Sequence, residues 1–225
     1  MQPIAGLAAA LILGHCAAAA AATATFTPFD AGKYSQEVTE CDRLASHPED
    51  PYRVAPGRTQ AQVLEVADAA IAACERAVQQ DPGNPRLHYQ LARVYGYSGQ
   101  GEKSLPHRQA AVAGDYPQAL FVVGYLYLTG LNKNPQDVCR AGELIRKSAQ
   151  QGRLAGQVGF VRYALQGLFD DCPVRREPAE MLEFLAAARE QIGGNYYQRL
   201  LVEVLEEQVR AGAESPLPAP QGNAR

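Results

Sequence analysis

The segment LARVY at residues 91–95 recurs in altered form as VGYLY at 123–127 and GFVRY at 159–163. Each copy ends in a tyrosine, and successive tyrosines are 32 and 36 residues apart. The residue three positions before each tyrosine lies on the same face of a helix as that tyrosine. On both sides of these segments the apolar residues keep a spacing near 3.6 residues, and no stretch alternates with a period of two. The sequence therefore predicts an all-α protein.

Helix boundaries recur around these segments. AVAG at 111–114 aligns with AQQG at 149–152 as the end of a second helix, where glycine accepts left-handed backbone geometry. Asn84-Pro85 and Asn134-Pro135 each place a capping residue before a proline in the first turn, and Asp137 follows three residues after Asn134. These signals predict an α-solenoid of stacked antiparallel helix pairs.

The predicted helices cover most of the chain. The last of them carries Glu203, Glu206, Glu207 and Arg210, which predicts a polar outer face that caps the stack. The full map is a short helix at 32–46, a loop to 58, a long helix at 59–80, pairs at 85–99 with 103–113, 117–130 with 135–151 and 154–168 with 178–192, and a last helix at 195–211.

The composition narrows the class of protein. Of 225 residues, 47% are hydrophobic and 20% are charged, which is typical of a folded globular chain rather than a disordered one. The formal net charge of −3 lacks the excess of Lys and Arg that nucleic-acid binding requires. We therefore expect no nucleic-acid partner.

The two ends of the chain differ from its middle. Residues 1–24 carry no charged side chain, and an apolar run at 4–14 precedes small residues that end in Ala-Thr-Ala at 22–24. This order predicts a cleaved signal peptide, with an uncleaved anchor helix as the alternative. Lipidation at Cys16 is disfavoured because His15 precedes it. The proline-rich residues 213–225 predict a disordered tail.

Export would leave four cysteines in an oxidising compartment. Cys41 and Cys74 are 33 residues apart, and so are Cys139 and Cys172. The equal spans favour these two pairs among the three possible connectivities. Zinc binding is the alternative, but the chain has no C-x-x-C motif and no close His–Cys spacing. We expect two disulfides, no metal and no cofactor, in a periplasmic or secreted protein without membrane insertion after cleavage.

One repeat is similar to a known family. The pattern Ala119-x4-Gly124-x2-Tyr127-x2-Gly130, followed by Asp137-x3-Ala141 and Ser148-Ala149-x2-Gly152, resembles a Sel-one-like repeat of the tetratricopeptide type. The turn DPGN at 81–84 resembles the link between tetratricopeptide repeats. The resemblance covers 67–212 and implies a repeat domain at 59–212, preceded by a helix-and-loop lead-in at 25–58.

The resemblance also implies a binding surface. In this class the first helix of each pair lines a concave face that takes extended peptides or partner helices. Carried over by position, that face would present aromatic and Arg anchors of the kind that form binding hot spots. The residues expected there are Tyr89, Arg93, Tyr97, Phe121, Tyr125 and Leu128, followed by Gln157 and Val161. Each aromatic residue could instead pack between helices.

A search for catalytic groups finds no G-x-S-x-G, S-x-x-K, H-E-x-x-H or Walker pattern. His88 and His107 are expected to have structural roles. The densest polar cluster, His47 with Glu49 and Asp50, lies in a proline-rich turn where such residues often serve local hydrogen bonds. We therefore predict a non-enzymatic scaffold or adaptor of the bacterial envelope that binds a protein or peptide. The alternative is a hydrolase of cell-wall or β-lactam substrates that uses this turn.

Overall fold

The computed structural model describes residues 26–214, so the predicted signal peptide and nearly all of the predicted tail lie outside it. No strand occurs in the described part, which confirms the all-α prediction. After a 3-10 turn at Ala31–Lys33, the helices are α1 (Glu40–Ala45), α2 (Gln60–Leu64), α3 (Ala67–Gln80), α4 (Pro85–Tyr97), α5 (Gly101–Ala113), α6 (Pro117–Thr129), α7 (Val138–Gln150), α8 (Leu154–Leu165), α9 (Pro178–Ile192) and α10 (Tyr196–Glu214).

Successive helices pack as the predicted pairs α4–α5, α6–α7 and α8–α9, with α3 before them and α10 after them. Small residues allow the close approach that this stacking needs. A Cβ on Gly124 would lie 2.7 Å from Ile145 of α7, and a Cβ on Gly156 would lie 2.7 Å from the backbone of Ala149. Larger residues at Gly124 or Gly156 would push neighbouring helices apart.

Helix ends follow the predicted signals in part. Asn84 accepts a hydrogen bond from the Arg86 amide and caps α4, as expected. Gly152 has a φ of +82°, but Gly114 keeps a negative φ, and the left-handed residue at that turn is Asp115. The position of the turn was therefore predicted correctly, but the left-handed backbone conformation was assigned to Gly114 and occurs at Asp115.

Helix α7 begins at Val138 and not, as predicted, directly after Asn134. Asp137, not Asn134, caps this helix, because its carboxylate accepts from the Arg140 amide at 2.9 Å. The Asn134 side chain is buried and accepts from Arg108 of α5 at 3.2 Å, so it is unavailable as a cap.

The predicted helix at 32–46 is also interrupted. Residues after the 3-10 turn are extended, and α1 starts only at Glu40, where Thr39 and Asp42 form a reciprocal capping box. In the extended stretch, the carbonyl of Ser35 accepts a hydrogen bond from Arg86 at 3.1 Å. A helix there would not leave this carbonyl free to bind Arg86.

The predicted long helix at 59–80 is two helices. Val66 departs from helical geometry, with φ −125° and ψ 26°, and separates α2 from α3. Val63 of α2 is fully buried, and both helices contact α4. Because of this break, α2 and α3 can each pack against α4.

Both disulfides are present in the predicted pairing. Cys41–Cys74 joins α1 to α3 with a Cα–Cα distance of 4.5 Å. Cys139–Cys172 joins the first turn of α7 to the loop after α8 at 5.1 Å. The first bond fixes the lead-in to the stack, and the second closes the long link before α9.

The outer face of α10 is the predicted polar cap only in part: Glu207 and Arg210 are exposed, but they share this face with apolar residues. Glu203 and Glu206 point back to Arg189 of α9, with N–O distances of 3.4 and 2.9 Å. The solvent-facing side carries large apolar residues, namely Tyr196, Tyr197, Leu200, Leu201 and Val204.

Candidate binding site

The surface formed by α4, α6, α8 and α10 is called here the first-helix face, since each of these helices opens a pair or follows the last one. Over α4, this face is covered by the lead-in, residues 26–58. Asp42 of the lead-in pairs with the buried Arg86 at 2.9 Å and accepts from Gln90 at the same distance. The chain's own N-terminal segment thus occupies a surface where a partner was expected.

Arg93 is the centre of this contact. Its Nη1 donates to the carbonyls of Ala45 and Ser46 at 2.8 and 3.1 Å, and its Nη2 donates to the carbonyl of Arg58 at 2.6 Å. Its guanidinium lies 4.9 Å from the centroid of the Tyr97 ring. Arg93 is only 7% exposed. It binds the lead-in and is not the free anchor that the sequence suggested.

A pocket of about 390 Å³ remains between α4 and α6, beside the lead-in. It brings together four of the six predicted binding residues: Tyr89, Arg93, Tyr97 and Tyr125. His47 from the lead-in and Leu131 from the α6–α7 loop complete its rim. Tyr125 and Leu131 are 41% and 54% exposed, so this rim offers apolar surface to a ligand.

Tyr89 lies at the bottom of the pocket and is buried. Its hydroxyl accepts from Gln118 at 3.2 Å, and its ring lies 5.8 Å from that of Tyr116. Burial is the main cause that raises the pKa of Tyr89 above its usual value, so the phenol stays neutral. It is a packing residue that could contact only a deeply inserted group.

The remaining predicted residues lie elsewhere. Phe121 and Leu128 are half-buried against the core around Phe160, and the Phe121 ring covers Gly159 of α8. Gln157 and Val161 are buried as well. Helical spacing correctly placed these side chains on inward-facing helices, but it could not show which neighbour each would touch.

Two guanidinium groups in the pocket have no carboxylate partner among the described residues. Arg93 is paired with carbonyls and a phenol, and Arg108 donates to the carbonyl of Asn132 at 2.9 Å and to the Asn134 amide oxygen. Burial lowers the pKa of Arg108 without a compensating anion. The pocket therefore combines an apolar rim with uncompensated positive charge.

The polar turn of the lead-in is held by local contacts. His47 Nδ1 accepts from the Glu49 amide at 3.1 Å, and burial, aided by Arg93, lowers the pKa of His47 to about 4. Asp50 accepts from the Tyr116 hydroxyl at 2.7 Å and from the Tyr52 amide at 3.0 Å. Burial raises the pKa of Asp50. The hydrogen bonds of His47 and Asp50 go to different groups, but the Arg153 guanidinium lies 3.7 Å from the Glu49 carboxylate and also acts on the pKa of His47 and of Asp50.

The other two histidines form a pair. Nδ1 of His88 lies 2.9 Å from Nδ1 of His107, and Nε2 of His88 contacts the carbonyl of Pro82. Burial and the neighbouring His88 lower the pKa of His107. No group of three or more metal-binding side chains occurs within 26–214.

Sequence reasoning missed two features of the first-helix face. One is that the lead-in covers α4; the charged residues Asp42 and Arg86 gave no sign of their pairing over 44 positions. The other is the apolar outer face of α10, which the spacing of Tyr197, Leu201 and Val204 could have indicated.

Comparisons with known proteins agree with this architecture. Residues 67–105, which span α3, α4 and the start of α5, match the family model described as tetratricopeptide repeat. No curated protein and no solved structure matches the chain. No helix among residues 26–214 is long and apolar enough to span a membrane. The chain is thus an all-α helical repeat protein with a tetratricopeptide-like unit at 67–105, a type of repeat that commonly binds other proteins.

Proposed function

We propose that this protein is a non-enzymatic interaction module, of the Sel-one-like branch, that binds a segment of a partner protein in the pocket between α4 and α6. The observation that carries the proposal is the pocket itself. A rim that includes Tyr97, Tyr125 and Leu131 surrounds a volume of about 390 Å³ beside two guanidinium groups. Binding hot spots commonly combine aromatic residues and arginine in this way.

The charge of the pocket favours one class of ligand. Arg108 retains donors on its guanidinium that no described residue accepts, and the hydrogen bonds of Arg93 to described residues all go to neutral groups. A partner segment that places an apolar side chain on Tyr125 and a carboxylate near Arg108 would satisfy both features. We therefore propose an acidic, partly apolar peptide segment as the ligand.

The proposed location is the oxidising compartment of the bacterial envelope. Two disulfides within one small helical protein support it, because disulfides persist mainly in exported proteins. The domain division proposed from the sequence, with a signal peptide at 1–24 and a repeat domain at 59–212, agrees with this location.

A random-peptide display selection on the purified, disulfide-bonded protein tests the proposal. We expect enriched acidic peptides with an apolar residue, whose affinity falls as salt rises. Tyr125→Ala should weaken binding about tenfold, since a hot-spot side chain contributes more than about 1 kcal/mol. Tyr196→Ala, an exposed tyrosine on α10, is the matched control and should leave affinity unchanged. Peptides that bind equally well to Tyr125→Ala would contradict this site.

A further inference from the structure

Two histidines outside the α4–α6 pocket face each other across neighbouring helices. Nδ1 of His88 on α4 lies 2.9 Å from Nδ1 of His107 on α5. The ring centroids are 5.1 Å apart, which is close to the largest separation that two imidazoles can have at this nitrogen–nitrogen distance. The two nitrogens therefore lie between the rings, nearly on the line that joins the centroids.

The orientation of the His88 ring is fixed by its other nitrogen. Nε2 of His88 lies 2.9 Å from the carbonyl oxygen of Pro82. A carbonyl only accepts, so Nε2 carries the proton, and in the neutral ring the lone pair of Nδ1 is directed at His107. Histidines that bind metals commonly use their second nitrogen in this way, because the contact sets both the tautomer and the direction of the ring.

The surroundings of His107 favour a neutral ring within reach of solvent. Burial and the neighbouring His88 lower its pKa, whereas Glu75 of α3 acts in the opposite direction and adds negative potential nearby. Both histidines are only partly buried, so an ion can enter from solvent. The four cysteines within residues 26–214 are in disulfides, so no thiolate in that range competes for a soft ion.

We propose that His88 and His107 bind a monovalent d¹⁰ cation, Cu(I) or its analogue Ag(I), in linear coordination between their Nδ1 atoms. Such ions take two ligands in line, which is the direction in which these nitrogens face. A metal–nitrogen distance near about 2 Å needs the nitrogens about 4 Å apart, so the rings would separate by about 1 Å through side-chain rotation. The Nδ1 proton of His107 moves to its Nε2 through water, so this ring binds as neutral imidazole.

The head-on arrangement disfavours a divalent ion such as Zn²⁺. Zinc takes tetrahedral ligands, so two imidazole lone pairs would have to converge on a point to one side of the line between the nitrogens. No group of three metal-binding side chains occurs among the described residues, which leaves this pair as a two-ligand site. A bound ion would cross-link α4 and α5 and would stabilise the folded protein increasingly as the ion concentration rises.

Silver binding to the purified, disulfide-bonded full chain tests the proposal, with Cys16→Ser in every protein to remove the thiol that lies outside the described residues. We expect one equivalent of silver nitrate, in a chloride-free buffer, to shift the imidazole nitrogen resonances of His88 and His107 in NMR spectra. His88→Gln and His107→Gln should each raise the dissociation constant for silver at least about tenfold, because one nitrogen ligand remains. His47→Gln, on the lead-in, is the matched control and should bind silver as the wild type does.

Three outcomes would overturn the proposal. One is that the His88 and His107 resonances stay unchanged in excess silver, so that the pair holds only a proton. Another is that both glutamine variants bind silver as tightly as the wild type while circular dichroism shows their helices intact. The third is that an equal concentration of Zn²⁺ displaces silver from the two rings, since the coordination would then not be linear. The NMR measurement needs only the protein with both histidines, so it decides the matter even where a variant fails to fold.

Discussion

The α4 and α10 ends of the first-helix face are treated differently by the same chain. Over α4, the lead-in places Asp42 on Arg86 and three carbonyls on Arg93, so that a polar surface is matched by polar partners. Along α10, Tyr197 and Val204 meet solvent. At one end of the array, contacts within the chain bury the first-helix face, whereas at the other end the apolar side chains of α10 are exposed among the described residues.

The largest expected effect comes from the buried ion pair of the covered region. Asp42→Asn leaves the Arg86 guanidinium buried without a counter-charge, which should cost about 3–5 kcal/mol in the free energy of unfolding. Urea denaturation followed by circular dichroism measures it. Glu40→Gln is the control, because its pair with Arg43 is more than half exposed and should contribute less than about 1 kcal/mol. Equal stability of the two variants would contradict the importance of the lead-in contact.

The two disulfides are expected to stabilise the two ends of the stack to different extents. Both close loops of 33 residues, so the chain-entropy model predicts a similar loss of about 2–4 kcal/mol for each. Cys41 and Cys74 are fully buried, whereas Cys139 and Cys172 are half-buried. Replacing the first pair by alanine should therefore cost more, since it also leaves space in the core. Thermal unfolding of the two double variants measures the difference, and the reverse order would contradict it.

A smaller effect is expected at the turn that closes the lead-in. A Cβ on Gly57 would lie 2.3 Å from the Cα of Pro48, a backbone atom that cannot move aside alone. Gly57→Ala should cost about 1–3 kcal/mol and speed hydrogen exchange in residues 46–58 more than in α8 or α10. Gly83→Ala is the control, because a Cβ there meets nothing within 4 Å. Uniform exchange changes across the protein would contradict a local effect.

The smallest effect is a pH dependence that arises at His47. Its pKa falls from about 6.5 in the unfolded chain to about 4 in the folded one, because of burial and the nearby charge of Arg93. The unfolded state therefore binds more protons between these values, and stability should fall as pH drops from 6.5 toward 4. In His47→Gln this slope of unfolding free energy against pH should be shallower. An identical slope in both proteins would contradict a neutral, half-buried His47.

Sequence reasoning reached the pairs α4–α5, α6–α7 and α8–α9 because their signals are local. Apolar spacing, Asn84 as a cap and a left-handed Gly152 act within a few residues. It was wrong about the cap of α7 and about continuous helices at 32–46 and 59–80. In two of these cases a distant residue forms the contact: Arg108 donates to the Asn134 side chain, and Arg86 donates to the carbonyl of Ser35.

The candidate site was predictable only in part. Residues on one side of α4 share a face by spacing, so Tyr89, Arg93 and Tyr97 do lie together. The spacing could not reveal that Arg93 would bind carbonyls of the lead-in, nor that Phe121 would turn toward Gly159 of α8. Side-chain partners depend on how helices far apart in sequence are packed.

Apolar periodicity, capping residues and equal cysteine spacing can all be read along the chain, so they were sufficient to predict a stack of helix pairs with two cross-links. Which surfaces remain exposed depends on how the helices and the lead-in pack together in three dimensions. Asp42 of the lead-in covers Arg86 on α4 through a contact over 44 positions, whereas Val204 on α10 is 42% exposed, and no local pattern in the sequence encodes either outcome.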